Sequence, residues 1–149
     1  MKLRTNIISV VTILALGIAI LQPAIAGAVD GFCNNDIYRR GNVSTCVKYI
    51  QTMSNGISND YAHTAEITGD MLTRDGVFGA KTERKVKQIQ NYGEDRIDGI
   101  VGPQTWTTFC FLAGQYGFKI GSSSMRAAWQ AAYNAGCVVE YDWGKFKER

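Results

Sequence analysis

The chain has 149 residues, with 16 basic and 13 acidic side chains, one histidine and four cysteines. A formal net charge of +3 is too small to argue for a nucleic-acid partner, and a lone histidine leaves little for His-based metal or nucleophile chemistry. The length suits one compact domain with its own core.

Residues 1–26 read as a secretory signal peptide. Lys2 and Arg4 form a short positive segment, Ile7 to Leu21 is largely apolar, and Ala24-Ile25-Ala26 offers small residues for cleavage after Ala26. Ala26-Gly27-Ala28 offers a second cut two residues later. The apolar run is shorter than the roughly 20 residues of a membrane span. Cys33 follows Asp30-Gly31-Phe32 rather than the apolar run, which argues against a lipid anchor. Losing Lys2 and Arg4 brings the net charge from +3 to near +1. Four cysteines in an exported chain predict two disulfides, with three possible pairings.

Residues 27–42 lack periodicity and read as an irregular N-terminal extension. Asn42-Val43-Ser44 supplies capping oxygens for a first helix over about Thr45 to Met53. Asn55 to Arg74 is rich in Asn, Ser, Gly, Asp and Thr and reads as a long surface loop. Asp75-Gly76 then marks a tight turn. It is followed by Gly79 and a helix over about Ala80 to Asn91, with Thr82, Val86 and Ile89 on its inner face and Lys81, Arg84, Lys85 and Gln88 on its outer face. Asp98-Gly99 repeats the turn 23 residues later, and Gly102, Pro103, Thr105 and Trp106 open a third helix running to about Ala113. Pro103 suits a first helical position, and Thr105 stands where it could bond back to the helix cap. At the same offset Gly76 matches Gly99, Val77 matches Ile100, Gly79 matches Gly102 and Thr82 matches Thr105. The internal repeat predicts two equivalent turn-plus-helix units. Residues 114–149 form a C-terminal extension. Its helix spans about 124–135, with Ser124 as cap, Gly136 as left-handed stop, and Met125, Ala128, Trp129, Ala132 and Tyr133 on the buried face. Cys137 to Trp143 alternates loosely as a short strand would, and Lys145 to Arg149 reads as a frayed end.

Val47, Ile50 and Gln51, then Asp75, Gly76, Phe78, Gly79, Thr82, Val86 and Gln90, then Asp98 to Thr105 and Trp106, form a pattern that resembles the peptidoglycan-binding domain of the three-helix type. The resemblance covers about Val43 to Cys110. It implies a three-helix bundle over residues 43–113, built on the two Asp-Gly turn repeats; with the fourth helix read in the extension, the expected fold is all-α and disulfide-stabilised. It also implies a secreted or cell-wall-associated module whose partner is the glycan strand or peptide stem of peptidoglycan. The segment from Thr52 to Arg74 is longer than the family pattern, and residues 114–149 lie outside it.

Catalytic readings meet an inventory problem. His63 and Glu66 have helical spacing for two metal ligands but need a third from Asp60 or Asp70. Cysteine nucleophiles conflict with two disulfides, and no serine sits in a nucleophile-elbow pattern. Asp75 and Asp98 precede glycine in matched turns, so a structural role is expected rather than acid–base chemistry. No metal and no cofactor is therefore expected. The basic face of Lys81, Arg84 and Lys85, with Tyr92 and Trp143 as stacking candidates, is the expected ligand surface, and anionic wall polymers are a further candidate partner. A monomer is expected, with no membrane attachment once the leader is cleaved. Trp106 and Tyr133 are expected in the core. Cys46 and Cys110 both flank core stripes, so the favoured pairing is nested, Cys46 with Cys110 and Cys33 with Cys137. Cys33 with Cys46 and Cys110 with Cys137 is the alternative. The leading function is an exported non-catalytic peptidoglycan-binding module. The alternatives are a wall hydrolase with chemistry in residues 55–74 or the C-terminal extension, and a secreted protein-interaction or inhibitor module.

Overall fold

A computed structural model describes residues 32–60, 67–114, 122–140 and 145–147. The expected signal peptide, His63, Glu66 and Trp143 lie outside them. Among the described residues four helices carry the fold: α1 (Thr45–Asp60), α2 (Ala80–Tyr92), α3 (Pro103–Gly114) and α4 (Ser123–Ala135). A single 3-10 turn, Cys33–Asn35, precedes them, and a ribbon of β1 (Val138–Glu140) against antiparallel β2 (Lys145–Lys147) follows. The fold is all-α apart from this ribbon, whose second strand occupies residues expected to fray.

The core is one cluster built from every helix. Val47, Ile50, Met53 and Ile57 of α1 meet Val86 and Ile89 of α2, Trp106 and Phe109 of α3, and Met125, Ala128 and Ala132 of α4. Trp106 is fully buried, packed edge-on against Tyr38, and its indole N–H donates to the Asp36 carbonyl. Tyr133 does not join the core. It is 56% exposed and stacks on Trp129 with the ring planes 1° apart. The inward face of α4 is made by alanines at Ala128, Ala131, Ala132 and Ala135 instead.

α1 runs seven residues beyond the expected end at Met53. Ser54, Asn55, Gly56, Ile57 and Ser58 are buried, because α4 lies directly against them. At Gly56 an added Cβ would sit 2.4 Å from Ala128 Cβ and 2.7 Å from the Ser124 carbonyl oxygen. Asn55 makes two hydrogen bonds to the Leu72 backbone, donating to its carbonyl and accepting from its N–H. A composition typical of loops is thus used for close helix packing and for holding residues 67–74. The cap of α4 is Ser122, whose hydroxyl accepts from Met125 N–H, two residues before the expected Ser124. Gly136 ends α4 in the left-handed conformation, as its position suggested.

The N-terminal extension is a strap rather than irregular coil. Tyr38 and Val101 exchange backbone hydrogen bonds, while Gly41 N–H donates to Phe78 O and Phe78 N–H donates to Asn42 O. Phe78 and Val101 are equivalent in the two repeats, so one strand-like segment pairs with both turns. Ser44 then caps α1, its hydroxyl accepting from Val47 N–H.

The nested disulfide pairing is not the one formed. Cys33 pairs with Cys46 and Cys110 with Cys137, at Cα separations of 5.5 and 5.6 Å. The strap brings Cys33 back to the start of α1, and the stop at Gly136 returns the chain to α3. Each bridge closes a short loop, of 13 and 27 residues. Each therefore contributes about 3 kcal/mol in the loop-entropy account, below the 4–5 expected of nested bridges.

Candidate functional site

The two repeat turns share one hydrogen-bond network. Gln51, from α1, donates through Nε2 to Asp75 Oδ1, Val77 O and Thr82 Oγ1, and accepts from Gly76 N–H through Oε1. Gln90, from α2, does the same with Asp98 Oδ1, Ile100 O, Thr105 Oγ1 and Gly99 N–H. Each turn aspartate also accepts from the N–H two residues on, at Val77 and Ile100. Gly76 and Gly99 supply the positive φ, 79° and 76°, that turns each N–H toward its glutamine. Thr105 therefore holds the turn, donating to Ile100 O, rather than bonding back to its own helix cap. Every side chain of the motif has a structural partner, so the turns are scaffold. The glutamines were legible as letters of the pattern but not as its clamps; their recurrence before each Asp-Gly was the available signal.

Asp75 is held below the usual carboxylate range, first by the Gln51 amide and then by Val77 N–H. At Asp98 burial pushes upward, and the Ile100 N–H, the Gln90 amide and Arg96 together outweigh it, so the net shift is downward. A folded value below the unfolded one, near 4, stabilises above that pH and is lost as pH falls through the folded value. Thermal stability is expected to be flat above about pH 5 on this account and to drop below about pH 4. Asp98→Asn keeps the accepting Oδ1 and is expected to shallow that acid limb, measured by calorimetry across pH.

The network fixes where α2 stands against residues 67–74, and a cleft opens between them. It has a volume of about 260 Å³ and is lined by Thr68, Gly69, Asp70, Lys81, Arg84, Lys85 and Gln88, with Leu72 at its base. The three basic residues singled out from sequence are thus brought together. Lys81 and Arg84 are exposed, but Lys85 is not: it is 4% exposed and its ammonium donates to Thr68 O at 2.6 Å. Burial pulls Lys85 below the ordinary lysine value, and the Asp70 carboxylate offsets part of that. Gln88 Nε2 donates to Thr68 Oγ1 while its Oε1 is buried with no hydrogen-bond partner. The cleft therefore has one cation locked into its wall and two free to reach a carboxylate or phosphate. Tyr92 stands one turn further along α2 and lines a different groove, with Gly93, Thr107, Thr108 and Phe111.

Residues 61–108 match the family model of a putative peptidoglycan binding domain. The matched segment holds both Asp-Gly turns, α2 and the first half of α3, and all the basic residues of the cleft. It leaves out α1 and α4. No curated protein and no solved structure matches the chain. The match to a peptidoglycan binding domain and the two disulfides are compatible with an extracellular setting, and among the described residues no helix is long and apolar enough to cross a membrane.

The approach to the first turn is longer than the approach to the second. Gln51 and Asp75 are 24 residues apart, whereas Gln90 and Asp98 make the same contact at a separation of eight. Among the described residues of this stretch, those up to Asp60 form the last turns of α1 and 67–74 lead into the first turn. Asn55 and Ser58, in the segment where hydrolytic chemistry was an alternative, are buried and bonded to backbone at Leu72 and Ser54.

Proposed function

We propose that this protein is exported and binds peptidoglycan without cleaving it. Anionic groups of the wall, the carboxylates of its peptide stems above all, are taken into the cleft between α2 and residues 67–72. The observation that carries this reading is the coincidence of the cleft with the family-matched segment. The leader-like first 26 residues and the disulfides support export. A charge-assisted hydrogen bond in a half-open cleft is strong enough to matter and weak enough to be salt-sensitive.

Co-sedimentation with purified sacculi tests the proposal. The full chain is expected in the pellet at low salt and to shift toward the supernatant as salt rises. Lys81→Gln with Arg84→Gln is expected to weaken binding about tenfold, since each lost contact is worth somewhat under 1 kcal/mol at an exposed site. Lys85→Gln is expected to cost stability instead, because it removes the bond to Thr68 O. Wild-type protein that stays in the supernatant at low salt would refute the proposal.

A further inference from the structure

The 23-residue repeat extends beyond the turns to the surface. Moving five of the eight residues that line the cationic cleft by that offset carries Gly69 to Tyr92, Asp70 to Gly93, Arg84 to Thr107, Lys85 to Thr108 and Gln88 to Phe111. Those five residues line the second groove, of about 380 Å³, with Glu94 and Leu112. The two hollows are therefore the same hollow made twice. Each lies between the segment leading into or away from a turn and the helix that the turn launches. Their chemistry has diverged in one direction. Arginine, lysine and glutamine in the first become two threonines and a phenylalanine in the second, and a loop glycine becomes tyrosine.

The hollows also follow one another on α2. Lys81, Lys85, Gln88 and Tyr92 are spaced by four, three and four residues, which keeps them on one helical stripe. At about 1.5 Å of rise per residue the stripe is roughly 16 Å long, and Gln88 and Tyr92 are one turn apart. Phe111 is 56% exposed and Tyr92 half-buried, so the second groove presents aromatic surface at its mouth.

We infer that the two hollows are consecutive subsites of one track, the cationic one for a peptide-stem carboxylate and the aromatic one for the apolar face of a sugar ring in the glycan strand. The inference rests on the peptidoglycan-binding reading. A pyranose presents C–H bonds on its faces and hydroxyls at its edge. Phe111 and Tyr92 offer rigid apolar surface for the face, while Thr107, Thr108 and the Gly93 backbone offer partners for the edge. An aromatic groove with a neutral, hydroxyl-bearing rim suits that ligand, and its place one turn along α2 from the cationic cleft gives it to the same polymer.

Three soluble probes test the track on the full chain by calorimetric titration and by backbone NMR: a disaccharide carrying its stem peptide, the free stem peptide, and the disaccharide alone. The disaccharide is expected to shift the amides of Tyr92, Thr107 and Phe111 but not that of Arg84. Phe111→Ser is expected to weaken the disaccharide-peptide about tenfold and leave the free peptide unchanged; Arg84→Gln is expected to weaken both peptide-bearing probes and leave the disaccharide unchanged. Equal loss of all probes with Phe111→Ser, or no loss of any, overturns the track. If wild-type and Phe111→Ser proteins bind sacculi and every probe alike, this inference fails and the binding function stands; if wild-type protein binds neither sacculi nor probes, both fail.

Discussion

Gln90→Ala is expected to lower the unfolding free energy by about 3–5 kcal/mol. Gln90 is fully buried, and its amide serves Asp98, Ile100, Thr105 and Gly99 at distances of 2.8 to 3.1 Å. Removing it strips a hydrogen bond from the buried Gly99 N–H, from the buried Thr105 hydroxyl and from the part-buried Ile100 carbonyl, which keeps its bond from Thr105. Each group left unsatisfied costs about 1–3 kcal/mol, more than the bond itself contributed. The cavity adds to this. Gln90→Leu separates the two effects, since it refills most of the volume and supplies no partner. Leucine is expected to recover little of the loss. Urea unfolding of the three proteins measures it, and a leucine variant as stable as wild type would show that volume, not the network, holds the turn. Gln51→Ala is expected to cost less, about 2–4 kcal/mol, because its partner Asp75 is exposed and water replaces part of what is lost.

Gly56→Val is expected to cost about 3 kcal/mol or more and to loosen α4 before the rest of the fold. In an isolated helix, replacing this glycine by alanine would gain about 1 kcal/mol of propensity. Here the first carbon of any side chain meets Ala128 Cβ at 2.4 Å and the Ser124 carbonyl at 2.7 Å. A backbone carbonyl cannot rotate away as a long side chain would, so α4 has to move. Gly56→Ala is therefore expected to destabilise by about 2 kcal/mol despite its better propensity, since overpacking outweighs it. Hydrogen exchange would show where the loss falls. Amides of α4 are expected to lose protection first, while those of α2 and the Asp-Gly turns keep theirs, because the Gln90 network does not touch α4.

Much of the fold was legible, and for a local reason. A turn that needs positive φ at one residue demands glycine there, and an aspartate before it satisfies the turn's own N–H groups. Asp75-Gly76 and Asp98-Gly99 therefore announce themselves, and so do the helices they launch. The family-matched segment, residues 61–108, contains both turns, the helix between them and the first half of α3. The site was half legible. Lys81, Arg84 and Lys85 form an evident basic stripe, but periodicity places them around a helix without showing that residues 67–72 fold over one side of it. Lys85, expected in solvent, is buried under that segment for this reason. Phe111 and the second groove were missed, although the 23-residue offset from Gln88 pointed to it.

The errors cluster where a contact across the chain decides the outcome. Asn55, Gly56 and Ser58 have poor helix propensity and read as loop, yet small size is what lets α1 and α4 approach at Gly56. Tyr133 has core spacing, yet the alanines beside it bring α4 so close to α1 that its ring is left outside, stacked on Trp129 at the edge of the core. The cysteine pairing depended on the direction the strap and the Gly136 stop take, which no spacing encodes. Sequence alone thus determined the elements whose conformation each residue imposes on its own backbone: the turns, their glycines, the helices they cap and the repeat that relates them. Only the tertiary structure decided which surfaces those elements bury. Burial is a property of pairs of distant segments, and the side chains that allow it are small ones whose preference is visible only once the partner is in place.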